Sequence, residues 1–186
     1  MSIGRHTPMT TAVPPDRVDD VPPSRPTIRF MLASPWHLLA LGAGAGLPRA
    51  APGTWGTLLA WLLFLRLDQS LGPWSWWLLV GIMLAAGSYA AQLTGTRLRV
   101  PDSSHIVIDE IVAFWIVLLL LPGDAAHGGP MLIAAFLLFR FFDIVKPPPI
   151  RALDARFKNG AGVMADDLVA AFYTLLVLAI GVRLWG

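Results

Sequence analysis

The sequence predicts an all-α fold: a polytopic membrane helix bundle with about four to five transmembrane helices and a short re-entrant or interfacial helix near its N-terminus. Hydrophobic residues make up 55% of the 186 residues and charged residues only 14%, whereas about a quarter of a soluble domain is charged. The charges lie in short segments between long uncharged runs, as in chains that cross a bilayer several times. The absence of cysteine excludes thiol nucleophiles, disulfides and thiolate metal ligands.

The N-terminal part of the chain is polar. Residues 1–30 contain six prolines and too little apolar surface to form a core, and they lack the apolar centre of a secretory signal. We predict that they form a disordered, proline-rich cytoplasmic tail and that residues 31–186 form a single membrane-embedded domain. The apolar segment 36–47 is shorter than the roughly 20 residues of a span, so it is predicted to re-enter or to lie on the membrane.

Five longer apolar segments follow, separated by glycine, proline or charged residues. Leu71-Gly72-Pro73 ends the first of them, and Lys146 with three prolines ends the fourth, because consecutive prolines cannot continue a helix. The glycine- and alanine-rich second segment suits close helix packing in lipid. The predicted helices are residues 54–67, 74–96, 105–121, 130–145 and 165–185.

Alternating helix direction brings acidic residues from three helices to one side of the membrane. The third helix begins, the fourth ends and the fifth begins on that side. Most lysines and arginines outside the apolar segments lie there too, so the positive-inside rule assigns this side to the cytoplasm. The acidic residues at these helix ends are Asp109, Glu110, Asp143, Asp166 and Asp167, and Arg140 and Lys146 accompany them.

The polar residues of the third and fourth helices each have a simpler interpretation. An ionised side chain costs roughly 2.5–3.5 kcal/mol at the centre of a membrane helix, but Asp109 and Glu110 could reach water at the helix end. Consecutive residues project about 100° apart, so this pair would otherwise bind a cation between neighbouring helices. Arg140 and Asp143 could form only a local ion pair, because residues three apart share a helix face.

Helix ends also explain several candidates without any functional role. Lys146 suits the negative end of a helix dipole, and Asp166 and Asp167 suit the positive start of the next helix. Thr54 and Thr57 lie at a helix start whose free N–H groups and hydroxyls could bind an anion. An ordinary N-cap threonine is an equal alternative there.

Two residues beside the acidic pair are interpreted mainly as structural. A lone histidine such as His105 is more often structural than catalytic, although a ligand or general-base role stays open. Asp102 lies in the preceding polar loop, where an acidic side chain is usually solvated. Neither residue is therefore included among the predicted site residues.

The clustering of these groups is harder to explain by separate structural roles. Oxygen ligands without cysteine suit Mg2+, and arginine or lysine beside them suits phosphate oxygens. We therefore predict Mg2+ as a cofactor and a phosphate-bearing substrate, with all five carboxylates in catalytic and metal-binding roles. A metal-activated water is the simplest nucleophile for attack on the phosphate, because the chain has no thiol. An aspartyl-phosphate intermediate is the alternative. The predicted substrate-binding residues are Thr54, Thr57, Arg140 and Lys146.

Other functions also place acidic groups in membranes. A cation or proton transporter would need them across the full membrane depth, whereas the opposite side has only Asp68 and Asp124, both in loops. A CDP-alcohol-type lipid phosphotransferase would carry a D-G-x-x-A-R run, of which Asp154-Ala155-Arg156 is only a fragment. A non-catalytic scaffold would leave the five clustered carboxylates unexplained.

Four ordered blocks resemble the phosphatidylglycerophosphatase A family of bacterial membrane lipid phosphatases. They are PGTWGT at 52–57, IVIDE at 106–110, FRFFDIVKPPPI at 139–150 and GAGVMADD at 160–167, and the resemblance extends over about residues 35–185. The family's acidic and basic motif residues carry over onto Asp109, Glu110, Arg140, Asp143, Lys146, Asp166 and Asp167.

This resemblance implies Mg2+-dependent hydrolysis of phosphatidylglycerophosphate to phosphatidylglycerol and phosphate, a step of glycerophospholipid biosynthesis. It implies a multi-pass protein of the bacterial cytoplasmic (inner) membrane whose active site faces the cytoplasm. The expected partner is the phospholipid substrate in the membrane, with no nucleic acid and with a homo-oligomer as an open possibility.

Overall fold

The computed structural model describes residues 25–148 and 159–185, and all regular structure within these two ranges is helical. The all-α class is thus confirmed. Short 3-10 helices lie at Gly42–Gly44 and Gly123–Ala126. The α-helices are α1 (Ile28–Leu32), α2 (Pro35–Ala40), α3 (Pro52–Leu67), α4 (Pro73–Leu98), α5 (Ile108–Leu120), α6 (Pro130–Val145) and α7 (Gly160–Trp185).

Two predicted segments fall mostly or partly beyond these residues. Of the predicted tail, residues 1–24 lie outside the described ranges, and α1 begins at Ile28, inside the predicted boundary. Thr27 caps α1, because its side-chain oxygen accepts a hydrogen bond from the N–H of Phe30 at 3.1 Å. Residues 149–158, which follow the fourth predicted helix and precede the fifth, also lie outside the described part.

Helix length separates two helices from the others. Among the described residues, α4 and the 160–184 portion of α7, with 26 and 25 residues, are long and apolar enough to cross a membrane. The α5 helix has only 13 residues, which corresponds to roughly 20 Å against a hydrocarbon core of about 30 Å. Length and composition thus support two spans, and the larger number of four to five stays a prediction.

The α5 helix is the centre of the bundle. It is buried along most of its length, and α3, α4 and α7 pack around it. The Trp115 indole N–H donates to the carbonyl oxygen of Ala60 in α3 at 2.9 Å. The Phe114 ring lies 5.4 Å from that of Phe139 in α6. These contacts join α3 and α6 to the middle of α5, one to two turns beyond the acidic pair.

The segment predicted at 36–47 does not form one helix. It divides into α2 and the 3-10 turn, where Gly42, Ala43 and Gly44 all have positive φ. The α2 helix packs on α4 through His37, whose ring nitrogen Nδ1 lies 2.9 Å from the Thr94 hydroxyl oxygen. Burial and the nearby Arg97 lower the pKa of His37. The segment therefore rests against the last turns of α4.

The α7 helix begins at Gly160, five residues before the predicted start. The Asn159 side chain accepts a hydrogen bond from the N–H of Gly162 at 2.8 Å, and Gln92 of α4 accepts one from Gly160 at 2.8 Å. These two acceptors satisfy N–H groups that a helix start leaves free. Asp166 and Asp167 consequently lie in the second turn of α7, beyond the reach of a helix cap.

Asp68 connects three elements at the end of the bundle remote from the acidic residues. Its Oδ1 accepts a hydrogen bond from the indole N–H of Trp76 at 2.7 Å, and its Oδ2 lies 3.0 Å from Nε2 of His127. It thereby joins the end of α3, the start of α4 and the loop before α6. The Trp76 side chain is fully buried, so its indole N–H has no access to water.

We expect Asp68→Ala to lower the free energy of unfolding by about 1–3 kcal/mol, the cost of leaving a buried donor without a partner. Catalytic turnover of the folded protein should change less than twofold, since Asp68 is far from the acidic residues. Thermal unfolding in detergent, followed by tryptophan fluorescence, measures the change. Asp124→Ala, at an exposed acid in a nearby loop, is the matched control and should unfold like the unaltered protein.

Candidate functional site

One cavity of about 330 Å³ collects the residues that the sequence predicted to converge. The starts of α3, α5 and α7, the end of α6 and the loop 102–106 enclose it. All five predicted carboxylates line it, together with Thr54, Arg140 and Lys146. The helix directions deduced from the sequence therefore agree with the observed arrangement, while the roles assigned to these residues stay predictions.

Three of the carboxylates form the tightest group. One oxygen from each of Asp109, Glu110 and Asp167 lies within 4.8 Å of the others, and all three side chains are buried. Among the described residues, Asp109 Oδ1, Glu110 Oε2 and Asp167 Oδ2 are buried atoms without a hydrogen-bond partner. Buried carboxylate oxygens are costly unless a cation or donor compensates them. This group, hereafter the acidic cluster, could therefore hold a divalent cation.

Arg140 of α6 links the acidic cluster to two other helices. Its Nη1 lies 2.7 Å from Oδ2 of Asp143 and 3.5 Å from Oε1 of Glu110. The same atom lies 3.5 Å from the Thr57 hydroxyl oxygen in α3. The pair of Arg140 and Asp143 is thus more than a local ion pair within α6, because the guanidinium also reaches α5 and α3.

Lys146 makes the corresponding link between α6 and α7. Its Nζ lies 3.2 Å from Oδ2 of Asp166. The backbone of Lys146 is left-handed, with φ 45°, and this turn ends α6 and directs the side chain towards α7. Asp143 and Asp166 are therefore the acids closest to Arg140 and Lys146, whereas within the acidic cluster Glu110 has the longer 3.5 Å contact with Arg140.

The start of α3 approaches the cluster closely at Gly53. A Cβ built on Gly53 would overlap Oε1 of Glu110 and would lie 2.8 Å from both terminal nitrogens of Arg140. Any side chain here would separate these two residues. The sequence placed Gly53 in the PGTWGT block at a helix start but predicted no separate role for it; its position directly after Pro52, in the first turn of the helix, was the available signal.

The two predicted threonines differ in position. Thr54 lines the cavity, as an anion-binding role requires. Thr57 is fully buried, and its hydroxyl donates to the carbonyl oxygen of Gly53 at 2.9 Å. Among the described residues Thr57 does not line the cavity. It can therefore influence the site only indirectly, through its contact with Arg140.

The loop before α5 adds groups that sequence reasoning gave little weight. Asp102, Ser103 and Ser104 line the cavity, so Asp102 lies at the site and not merely in a solvated loop. His105 instead turns away, and its Nδ1 lies 2.6 Å from the carbonyl oxygen of Gly46. This contact fits the structural interpretation of the histidine, because it fastens the loop to the segment after α2.

Comparison with known proteins agrees with the four sequence blocks. The family model described as phosphatidylglycerophosphatase A matches residues 38–182. A Haemophilus influenzae protein named phosphatidylglycerophosphatase A is 41% identical over 155 residues, covering 83% of this chain and 93% of that protein. An Escherichia coli protein of the same name is 37% identical over 154 residues, covering 81% and 85%.

A third relative carries a different name. It is a Bacteroides thetaiotaomicron protein, named provisionally as a phosphatidylinositol-3-phosphatase, and it is 40% identical over 147 residues, covering 77% of this chain and 91% of that protein. No solved structure matches the chain. The family match covers every residue that lines the cavity, including the whole acidic cluster. On these grounds the chain belongs to the phosphatidylglycerophosphatase A family.

Proposed function

We propose that this protein hydrolyses the terminal phosphate monoester of phosphatidylglycerophosphate, with Mg2+, to give phosphatidylglycerol and phosphate. The observation that carries the proposal is the acidic cluster, with its buried oxygens, in one cavity with Arg140 and Lys146. A divalent cation would compensate the charge of the acidic cluster, and a phosphate group would bind to Arg140 and Lys146. Membership of the family supports the substrate.

The donors of the acidic cluster fit Mg2+. They are carboxylate oxygens, which this ion prefers, and the chain has no cysteine that would favour a softer metal. Asp109, Glu110 and Asp167 are therefore the residues that would hold it. When bound there, Mg2+ would neutralise phosphate charge and lower the pKa of a water molecule.

The remaining residues of the site act on the substrate and on each other. Arg140 and Lys146 line the cavity and would bind the phosphate oxygens, and Asp143 and Asp166 hold them in position through the contacts of 2.7 and 3.2 Å. The attacking water must lose a proton, and one of the carboxylates that line the cavity would accept it. The phosphorus–oxygen bond to glycerol then breaks, and the leaving oxygen takes up a proton.

The membrane arrangement belongs to the same proposal. We infer a multi-pass protein of the bacterial inner membrane, in which α3, α5 and α6 cross as shorter helices beside α4 and α7. The cavity would then lie at the level of the lipid headgroups. Arg49, the last turn of α4 with Arg97, and Arg99 directly after it lie on the same side, which favours a cytoplasmic position by the positive-inside rule.

Removal of divalent cations tests the metal. We expect EDTA to reduce phosphate release from phosphatidylglycerophosphate by the purified protein in detergent at least about 100-fold, because the acidic cluster would lose its compensating charge. Added Mg2+ should restore the activity. Full activity in excess EDTA would contradict the metal assignment.

The same assay tests the substrate. Phosphatidylinositol 3-phosphate and phosphatidic acid are the matched lipids, since one reflects the name of the Bacteroides relative and the other carries a phosphate monoester without the second glycerol. We expect the highest kcat/KM for phosphatidylglycerophosphate. Preference for either of the other lipids would reassign the substrate while keeping the phosphatase chemistry.

Arg140→Lys tests the geometry of phosphate binding. A lysine is a single point charge and does not reproduce the planar guanidinium, so it would not contact Asp143, Glu110 and a phosphate together. We expect kcat/KM to fall by roughly 10- to 100-fold, with a thermal unfolding temperature close to that of the unaltered protein. Arg66→Lys, at an exposed arginine near the opposite end of α3, is the control, and an equal loss in both variants would reject a specific role for Arg140.

A further inference from the structure

The α6 helix carries an apolar, exposed stripe on one face. Its members are 54–69% exposed, and steps of four, four and three residues place them on the same side of the helix. Such exposure of large apolar side chains suits contact with lipid. We call this row the α6 stripe; it consists of Ile133, Leu137, Phe141 and Ile144.

The α6 stripe ends in the cavity itself. Ile144 is 69% exposed and is also a cavity-lining residue, beside Asp143 and Lys146. Of the other apolar lining residues, Ile106 and Val163 are buried. At Ile144 the cavity therefore opens directly onto the outer apolar surface of the bundle.

The exposed apolar residues of α4 and α7 lack this continuity. Leu78 and Ile82 of α4 are also more than half exposed, but α4 contributes no lining residue within the described part of the chain. The residues of α7 that line the cavity are buried, so its exposed residues further along are separated from the opening. Continuity with the cavity thus distinguishes the α6 stripe from an ordinary lipid-facing surface.

The length of the α6 stripe matches one leaflet. Ile133 and Ile144 are eleven residues apart, or about 16 Å along a helix. Half of a hydrocarbon core of about 30 Å is about 15 Å. A lipid whose phosphate lies in the cavity would therefore have an acyl chain of the right reach to lie along the whole stripe.

We propose that the lipid substrate enters the cavity sideways from the bilayer, past Ile144, and lays one acyl chain along the α6 stripe. This inference rests on the proposed lipid phosphatase activity. It makes Leu137 and Ile144 substrate-binding residues that act on the acyl chain and not on the phosphate. They should therefore affect KM for long-chain lipid and leave kcat almost unchanged.

The test compares two double variants on two substrates. Leu137→Ser with Ile144→Ser alters the α6 stripe, and Leu78→Ser with Ile82→Ser makes the same change on the exposed face of α4. The substrates are phosphatidylglycerophosphates with two 16-carbon or two 6-carbon acyl chains, assayed in the same detergent micelles.

For the α6 variant we expect KM for the long-chain lipid to rise by roughly fivefold or more, because apolar contact with the chain is lost. Its loss of kcat/KM for the short-chain lipid should be at least about threefold smaller than its loss for the long-chain lipid, and the α4 variant should resemble the unaltered protein on both. If the double variant misfolds, Leu137→Ser alone, two turns from the cavity, serves as the second variant and should raise only the long-chain KM.

Equal losses on both substrates, or equal effects of the α6 and α4 variants, would overturn the inference. A change of oligomeric mass in the α6 variant, with equal losses on both lipids, would assign the stripe to contact with a second copy. If the unaltered protein hydrolysed neither lipid, the proposed function itself would be rejected. The experiment thus distinguishes an error in the acyl-chain inference from an error in the proposed phosphatase activity.

Discussion

Asp109→Asn and Asp167→Asn should each reduce phosphate release from phosphatidylglycerophosphate at least about 100-fold. Asparagine keeps the shape of the side chain but removes its charge and one anionic donor. Both residues contribute an oxygen to the acidic cluster, and each has a buried oxygen with no hydrogen-bond partner in the described part of the chain. Loss of either charge should weaken the binding of a divalent cation. Activity should fall because the proposed reaction requires that cation.

The same substitutions should not lower the stability of the metal-free protein, although they lower its activity. Six carboxylates, counting Asp102, line the cavity with Arg140 and Lys146, so removing one negative charge relieves repulsion between like charges. We therefore expect the metal-free variants to unfold at the same temperature as the unaltered protein or a higher one. Mg2+ should stabilise the unaltered protein, by about 2.7 kcal/mol at a concentration 100 times its Kd, and should stabilise the variants much less.

Phosphate release and thermal unfolding with and without Mg2+ measure these effects together. Asp124→Asn is the control, because Asp124 is exposed in the loop before α6 and lies at the opposite end of the bundle. Normal turnover by both Asp109→Asn and Asp167→Asn would contradict the proposed roles of these residues in catalysis and metal binding. If Mg2+ stabilised an inactive variant as much as the unaltered protein, the substituted residue would have a role in catalysis but would not be a metal ligand.

Gly53→Ala should cause a comparably large loss of activity, about 100-fold, although glycine supplies no functional group. The added methyl group would overlap a Glu110 oxygen and press on both terminal nitrogens of Arg140. These groups belong to buried, packed elements, so relieving the overlap displaces α3 or separates Glu110 from Arg140. Overpacking of this kind typically costs about 1–3 kcal/mol, and we expect a lower unfolding temperature as well.

Gly81→Ala provides the matched control within α4. A Cβ there meets no atom of the described chain within 4 Å, and alanine is favoured over glycine inside a helix by roughly 0.5–1 kcal/mol. This variant should therefore be active and equally or more stable. If Gly53→Ala retained normal activity, close approach of α3 to Glu110 and Arg140 would be unnecessary for catalysis.

Helix bounds were predictable where the sequence contains strong breakers. The predicted helix at 130–145 coincides with α6, because Pro130 begins it and the prolines after Lys146 prevent its continuation. The start of α7 was predicted five residues late, because the glycines at 160 and 162 suggested a loop. Acceptors on Asn159 and on Gln92 of a distant helix stabilise that start, and a distant partner is not visible in the local sequence.

Which end of the bundle carries the polar residues was determined by the sequence alone. Position along a helix axis follows from residue number and helix direction, so counting helices was sufficient to bring the five acids to one end. Rotation about each axis and the choice of neighbour depend on packing of all the helices at once. Only the tertiary structure therefore separated the acidic cluster from Asp143 and Asp166, which pair with Arg140 and Lys146, and placed Gly53 against Glu110.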